Sequence, residues 1–225
     1  MLEISATDAW RGAHPGAAIG LLEISGIEKP SPAALDARKR AAEAALRERY
    51  KGYVRKDFTA LPVMAAYEKY YRKFSKTYHV LQQVESIVLK GKNLPNISPL
   101  VDANFAAEVE TLVLTAGHDV ARLAGALSMD VARAGDEMTQ MNGARKPLLE
   151  SDMIMRDANG VACSILYGQD NRSPISPQTS HVLYVAYAPA GVPAAAVEEQ
   201  LKKIEDNVRL ASGTAKTEQS RLLKA

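Results

Sequence analysis

The densest grouping of chemistry-bearing residues lies between Leu94 and Asp119. The segment Leu94-Pro-Asn-Ile-Ser-Pro-Leu-Val-Asp-Ala-Asn104 is followed a short way on by Gly117-His-Asp119. Asp102, Asn104, His118 and Asp119 therefore sit close to one strong helix-start signal. An amide can position a water or a ligand, and an imidazole or a carboxylate can move a proton. Ser98 suits an N-cap, and Pro99 suits the first turn, where a missing N–H costs nothing. Asp102 falls in that turn, where the helix dipole favours an anion. Val101, Phe105, Val109 and Leu112 recur at helical spacing, with Leu100 and Val113 widening the stripe and Asn104 beside it or on its edge. A helix N-terminus carrying such groups is a place that can hold a ligand.

Two further stretches carry polar chemistry. The loop Gln169-Asp-Asn-Arg-Ser-Pro-Ile-Ser-Pro-Gln-Thr179 is dense in hydrogen-bonding groups, which equally describes a surface loop fastened by Ser and Thr. From Arg47 to Lys76 there are nine lysines and arginines against three acids, a local net charge of +6. Arg55, Lys56, Lys69, Arg72, Lys73 and Lys76 could neutralise phosphates. Tyr50, Tyr53, Tyr67, Tyr70 and Tyr71 are interleaved with them and could stack on unpaired bases, or could instead pack on the core beneath a solvated face.

Other chemistries find little support. His14, His79, His118 and His181 are far apart, and no closely spaced histidine or cysteine pair suggests a metal site, so none is expected. Neither common phosphate-cradling glycine loop nor a Gly-x-Ser-x-Gly elbow occurs, and no cofactor is expected. Cys163, in a strand-like apolar run, reads as a buried inert thiol.

The 225 residues, 47% apolar and 24% charged with net charge +2, suit an α+β single domain spanning residues 1–225. A lone cysteine rules out an intrachain disulfide. The N-terminus lacks a basic-then-apolar leader pattern, and no apolar run approaches the ~20 residues of a membrane helix. A cytoplasmic location without membrane contact is therefore expected.

These residues must be positioned by the following elements. Leu2 to Ile4 and Ile19 to Ile24 read as strands. Helices are expected from Pro32 to Tyr50, Leu61 to Phe74, Thr77 to Lys90, and Pro99 to about Thr115–Gly117. Short β-prone runs follow at Ala126–Ala132, Asp152–Arg156, Val161–Tyr167 and Val182–Tyr187, with Asp157-Ala-Asn-Gly160 as a hairpin. A C-terminal helix, residues 192–213, and a mobile tail, residues 214–225, complete a helical half followed by a β half.

The motifs resemble those of the B3/4 domain, the editing module of the phenylalanyl-tRNA synthetase beta subunit, which also occurs as stand-alone proteins. Leu94 to Asn104 is similar to its Leu-Pro-x-Ile-x-Pro-Leu-Val-Asp-x-x-Asn signature. Val88-Leu-Lys-Gly-Lys-Asn-Leu-Pro95 resembles the Leu-Lys-Gly-Lys-Gly-Leu-Pro run of stand-alone forms, and Gly117-His-Asp119 their Gly-Ala-x-Asp turn. Gln169, Arg172, Ser173, Ile175, Ser176 and Thr179 fall on their Gln-x-x-Arg-Thr-x-Ile-Thr-x-x-Thr pattern, ahead of Val182-Leu183. The resemblance covers roughly Tyr67 to Gly191, residues 67–191.

The resemblance implies an α+β B3/4-type domain with a multi-layer β core, an N-terminal helical half, and a pocket for the aminoacylated 3′ end of tRNA. Asn104 lands on the family's site asparagine. Two positions depart from the synthetase. Ala116 stands where its turn has a histidine, and Val185 where its strand has the glutamate that reads the tyrosine hydroxyl. Because hydrogen-bonding a hydroxyl discriminates by ~10⁴ or more and an apolar wall far less, a more apolar side chain or a different amino acid is expected. The implied activity is hydrolysis of mischarged aminoacyl-tRNA in trans, with water as nucleophile. Asn104, His118 and Asp119 are its candidate catalytic groups, and Gln169, Arg172, Ser173, Thr179, Ala116 and Val185 its candidate substrate contacts. Asp119 could instead cap the next helix. A non-catalytic tRNA or amino-acid binding module and a small-molecule ester hydrolase remain alternatives.

Overall fold

The computed structural model describes residues 2–225. In chain order the elements are β1 (Ile4–Ala6), α1 (Asp8–Ala13), β2 (Ala18–Ser25), α2 (Pro32–Arg49), α3 (Arg55–Thr59), α4 (Pro62–Arg72), α5 (His79–Val88) and α6 (Pro99–Thr111). There follow β3 (Thr115–Asp119), β4 (Leu127–Val131), β5 (Glu137–Thr139), β6 (Arg145–Pro147), β7 (Met153–Asp157), β8 (Gly160–Ser164), β9 (Gly168–Gln169), β10 (Val182–Ala188), α7 (Ala194–Ala211) and β11 (Lys216–Lys224). This is an α+β fold.

Two sheets carry the core. One runs β11-β2-β10-β3, antiparallel throughout, and the other β1-β4-β7-β8-β9, with β1 parallel to β4. β5 and β6 form a separate hairpin. The run Val182-Leu-Tyr-Val-Ala-Tyr-Ala188 is apolar without alternation because β10 is covered on both faces, and every one of its residues is buried. α7 lies across β2 so closely that a Cβ on Gly20 would come within 2.6 Å of Val197. α4 joins the two sheets through tyrosine hydroxyls. Tyr67 donates to Tyr187 O at 2.6 Å, Tyr70 to Asp152 Oδ1 at 2.7 Å and Tyr71 to Ile165 O at 2.5 Å.

The expected helix from Pro99 stops earlier than its apolar pattern suggests. Leu112 takes a left-handed conformation at φ 67°, and its carbonyl accepts from the buried Tyr78 hydroxyl at 2.9 Å. That corner sends the next residues into β3, so Gly117-His-Asp119 is strand rather than turn. Ser98 makes no capping bond. Asp102 reaches back instead, its Oδ1 accepting from Ile97 N at 3.0 Å. The Asp157–Gly160 hairpin forms as expected, Gly160 supplying φ 120°.

The mobile tail expected at residues 214–225 is a correction. It contains β11, paired along β2 from Lys216 opposite Ser25 to Lys224 opposite Ala18. Gln219 Nε2 donates to the buried Glu23 at 2.5 Å, and Leu222 and Leu223 pack on the core. Lys216, Glu218, Arg221 and Lys224 give it the composition of a protected edge strand, which sequence patterning does not separate from a solvated tail. β1 and β2, from the otherwise helical N-terminal half, and β11 at the other end join the strands of the second half to complete the β layers.

Candidate active site: a cleft beside helix α6

A cleft of about 600 Å³ opens between α6, β3, the β8–β9 region and the loop 174–177. Its α6 wall is made by Val101, Asn104, Phe105 and Glu108, spaced three or four residues apart on one face. Ser98 and Gln83 stand near the start of that helix, while Tyr184, Tyr187 and Cys163 come from the sheets. Ser98 Oγ and Gln83 Oε1 are buried with no hydrogen-bond partner among the described residues.

α2 fixes the mouth of this cleft. Lys39, fully buried, donates to Asp102 Oδ2 at 2.7 Å, Asn96 Oδ1 at 2.6 Å and Pro95 O at 2.9 Å. One turn later, Glu43 accepts from Leu94 N at 2.6 Å. These two side chains pin the Leu94–Ile97 segment that leads into α6. Asp102 is therefore an ion-pair partner inside the fold.

Asn104 is buried and oriented from two sides. Its Nδ2 donates to Thr115 O at 2.9 Å and its Oδ1 accepts from Gln200 Nε2 at 3.2 Å. Each end keeps capacity for one further bond. Gln169 Nε2 spends both protons on Gly117 O at 2.7 Å and Ser173 O at 2.8 Å. Its Oε1 has no partner among the described residues. Asn104 and Gln169 thus both line one cleft, each anchored to a β3 carbonyl, and Ala116 lines it too.

The remaining expected residues are placed elsewhere. His118 lies behind the wall, fully buried, its Nδ1 2.8 Å from Ser173 Oγ. Because Ser173 Oγ donates to Asp170 Oδ1 at 2.6 Å, it is His118 that supplies the proton to Ser173. Burial holds the imidazole neutral, with its pKa pushed down to about 3. His118 and Ser173 brace the loop and do not meet the cleft. Asp119 caps the 3-10 turn Val120–Arg122 through Ala121 N at 3.0 Å and accepts from Thr179 Oγ1 at 2.8 Å. Arg172 is spent on Asp157 at 3.1 Å and Asp170 at 2.7 Å. Val185 is fully buried outside the cleft, and β10 lines it instead through Tyr184 and Tyr187.

Glu108 is the cleft residue the sequence reading missed. Its signal was its place four residues after Asn104, which puts both on one helix face. Glu108 Oε2 accepts from Thr115 N at 3.0 Å, and burial pushes its carboxyl up to about 8. Cys163 lines the cleft as a thiol, its pKa pushed up to about 12 by burial. Ser164 Oγ donates to the buried Asp152 and takes Tyr167 N at 3.1 Å. Among the described residues no group of three or more metal-ligating side chains converges.

The basic segment divides in two. Tyr50, Tyr67, Tyr70 and Tyr71 are buried, so their rings pack inside and do not present stacking faces. Arg55, Lys56, Lys69, Arg72, Lys73 and Lys76 stay exposed. Arg55 pairs with Glu85 and Arg72 with Glu68, while Lys69, Arg72 and Lys73 line one shallow groove.

The comparisons with known proteins bear on the family and the fold. The family model of the B3/4 domain matches residues 64–217, more than half the chain and extending past the motif-bearing segment into α7 and β11. No curated protein matches the chain in sequence. Among solved structures, a crystal structure of an N-terminal fragment of the phenylalanyl-tRNA synthetase beta-subunit from Pyrococcus horikoshii has a similar fold. The TM-score is 0.51 at 7% identity, covering 100% of this chain and 55% of that one. The chain thus spans about half the length of that fragment.

Proposed function

The chain belongs to the B3/4 domain family, and from that premise we propose that it hydrolyses mischarged aminoacyl-tRNA in trans, in the cytoplasm. The bond cut is the ester between the amino acid and the terminal ribose. The observation that carries this reading is the convergence of Asn104 and Gln169 on one cleft of about 600 Å³. That volume suits a small ligand such as an aminoacyl group, with few polar groups to orient it.

Water is the nucleophile. It adds to the ester carbonyl carbon, the carbon–oxygen bond to the ribose breaks, and the ribose oxygen leaves as a hydroxyl carrying the proton. Asn104 and Gln169 position water and carbonyl. The neighbouring ribose hydroxyl of the tRNA assists as a group already in place. A covalent route has less support, because the Cys163 thiol is held protonated and Ser164 is engaged by Asp152 and the Tyr167 amide. His118, held neutral by burial, serves as a brace for the Gln169 loop. Lys56, Lys69, Arg72, Lys73 and Lys76 hold the tRNA backbone, which makes affinity fall with salt.

The test is a deacylation screen over a panel of correctly and wrongly charged tRNAs. Release of one or two amino acids well above the buffer rate is expected. Salt-sensitive tRNA binding without release would favour a binding module. Turnover of free amino-acid esters with no dependence on tRNA would favour a small-molecule hydrolase.

A further inference from the structure

The charge inventory of the cleft is one-sided. Among the described residues that line it, Glu108 is the only carboxylic acid, and no lysine or arginine is present. Glu108 is 2% exposed. Its Oε2 accepts from Thr115 N, and its Oε1 has no partner among the described residues. The titratable groups near it and along the cleft are neutral. Tyr67 and Tyr71 of α4, Tyr78 ahead of α5, and Tyr184 and Tyr187 of β10 are phenols whose ionisation burial opposes. Cys163 of β8 is a thiol. His79, at the rim, has its pKa lowered by desolvation.

A carboxyl with one free oxygen beside a ligand cleft, and no protein cation to answer it, is matched by a donor that the ligand brings. A charged donor gains most there, because a charge-assisted bond strengthens where water is excluded. We infer that Glu108 anchors the α-ammonium group of the bound aminoacyl moiety, so that the site accepts substrates with a free primary amine and rejects N-acylated ones. This rests on the hydrolase reading of the cleft, yet it is read out by binding alone. The pair forms without a net change in protons when a neutral amine meets the protonated carboxyl, since the proton passes from Glu108 to the nitrogen.

The experiment measures binding of non-hydrolysable probes to the full chain by calorimetry at pH 7.5. The probes are the amides of leucine, methionine and phenylalanine, their N-acetyl derivatives, and the 2-hydroxy amides in which OH replaces the amine. At least one amine is expected to bind ~10- to 100-fold tighter than both of its counterparts. Glu108→Gln, which keeps an acceptor for Thr115 N, is expected to abolish that preference. Equal binding of amine and hydroxy probes by the wild type, a preference that survives Glu108→Gln, or no binding by any amine would each overturn the proposal. The wild-type comparison stands even if the variant misfolds. A deacylation screen with no release would remove the hydrolase reading while leaving an observed amine preference intact.

Discussion

Asn104 and Glu108 stand one turn apart on α6 and meet the same strand residue from two directions: the Asn104 amide donates to Thr115 O at 2.9 Å, and Glu108 accepts from Thr115 N at 3.0 Å. Thr115 is thereby locked to the helix through both its backbone groups. The α6 wall of the cleft is thus tied to the edge strand β3. Two neighbouring polar side chains are held in fixed rotamers against it, as a preorganised site requires.

Asn104→Ala removes the amide that faces the ester in the proposed reaction. Deacylation is expected to fall by ~10²-fold or more in kcat, by analogy with loss of one positioned donor, while tRNA affinity stays within about twofold. The substitution also removes the side-chain partner of Thr115 O and one of the two acceptors of Gln200 Nε2, costing about 1–3 kcal/mol of stability. Thermal unfolding therefore accompanies the kinetics, and full activity in the variant would remove Asn104 from the site.

Glu108 imposes a pH dependence on stability. Its folded pKa, near 8, lies above the ordinary carboxyl value of 4.5. The folded chain thus holds a proton that the unfolded chain has released over pH 4.5–8, and stability falls as pH rises through that window. Asp152, pushed up to about 7, acts in the same direction. His118 acts oppositely below pH 6.5, where only the unfolded chain takes up its proton. Urea unfolding of Glu108→Gln from pH 6.5 to 8.5 is expected to show a flatter decline than wild type, by on the order of 1–2 kcal/mol. An unchanged slope would mean that Glu108 ionises normally.

The parts of this fold legible in sequence are those whose local chemistry agrees with their tertiary role. Ser31-Pro32 and Ser98-Pro99 mark true helix starts, Asn159-Gly160 marks a true hairpin, and the continuous apolar run at Val182 marks the central strand. Asn104, singled out in sequence by its place near a helix start and by its motif, does line the cleft. Long-range pairing hid the rest. His118, Ser173 and Asp170 form a chain of hydrogen bonds that looks catalytic as a residue list, but it lies behind the wall because β3 turns His118 away from the cleft. Arg172 looked free to meet an anion until Asp157, fifteen residues earlier, closed on it. Tyr67, Tyr70 and Tyr71 could have faced either way. Only the position of α4 between the two sheets decides that they face in.

Lys39 is buried with Asp102, and the pair is expected to matter chiefly through the cost of breaking it. Lys39→Met leaves the Asp102 charge without its partner, for an expected loss of ~3–5 kcal/mol. It also frees the carbonyl of Pro95 and the amide of Asn96, so the cleft mouth should loosen. The double variant Lys39→Met/Asp102→Asn is expected to recover a large part of the loss. A coupling energy near zero in the double-mutant cycle, measured by urea unfolding, would show that the two residues contribute independently.

Gly117 offers a way to narrow the cleft without touching a polar group. A Cβ there would lie 2.6 Å from Ile175 Cδ1 and 3.1 Å from the Tyr184 ring, both of which line the cleft. The nearest atom ends a flexible side chain that can swing aside, whereas the ring is held by the Tyr184 hydroxyl donating to Leu100 O at 2.8 Å. Gly117→Ala should therefore push Ile175 into the space a substrate side chain needs. The expected stability loss is about 1–2 kcal/mol. The effect on function should be larger and should appear in KM more than in kcat, because room is removed while the positioning amides stay. Amino acids with small side chains should be affected least. Steady-state deacylation across side chains of increasing size measures this directly, and a uniform loss for all sizes would mean that Gly117 does not border the side-chain space.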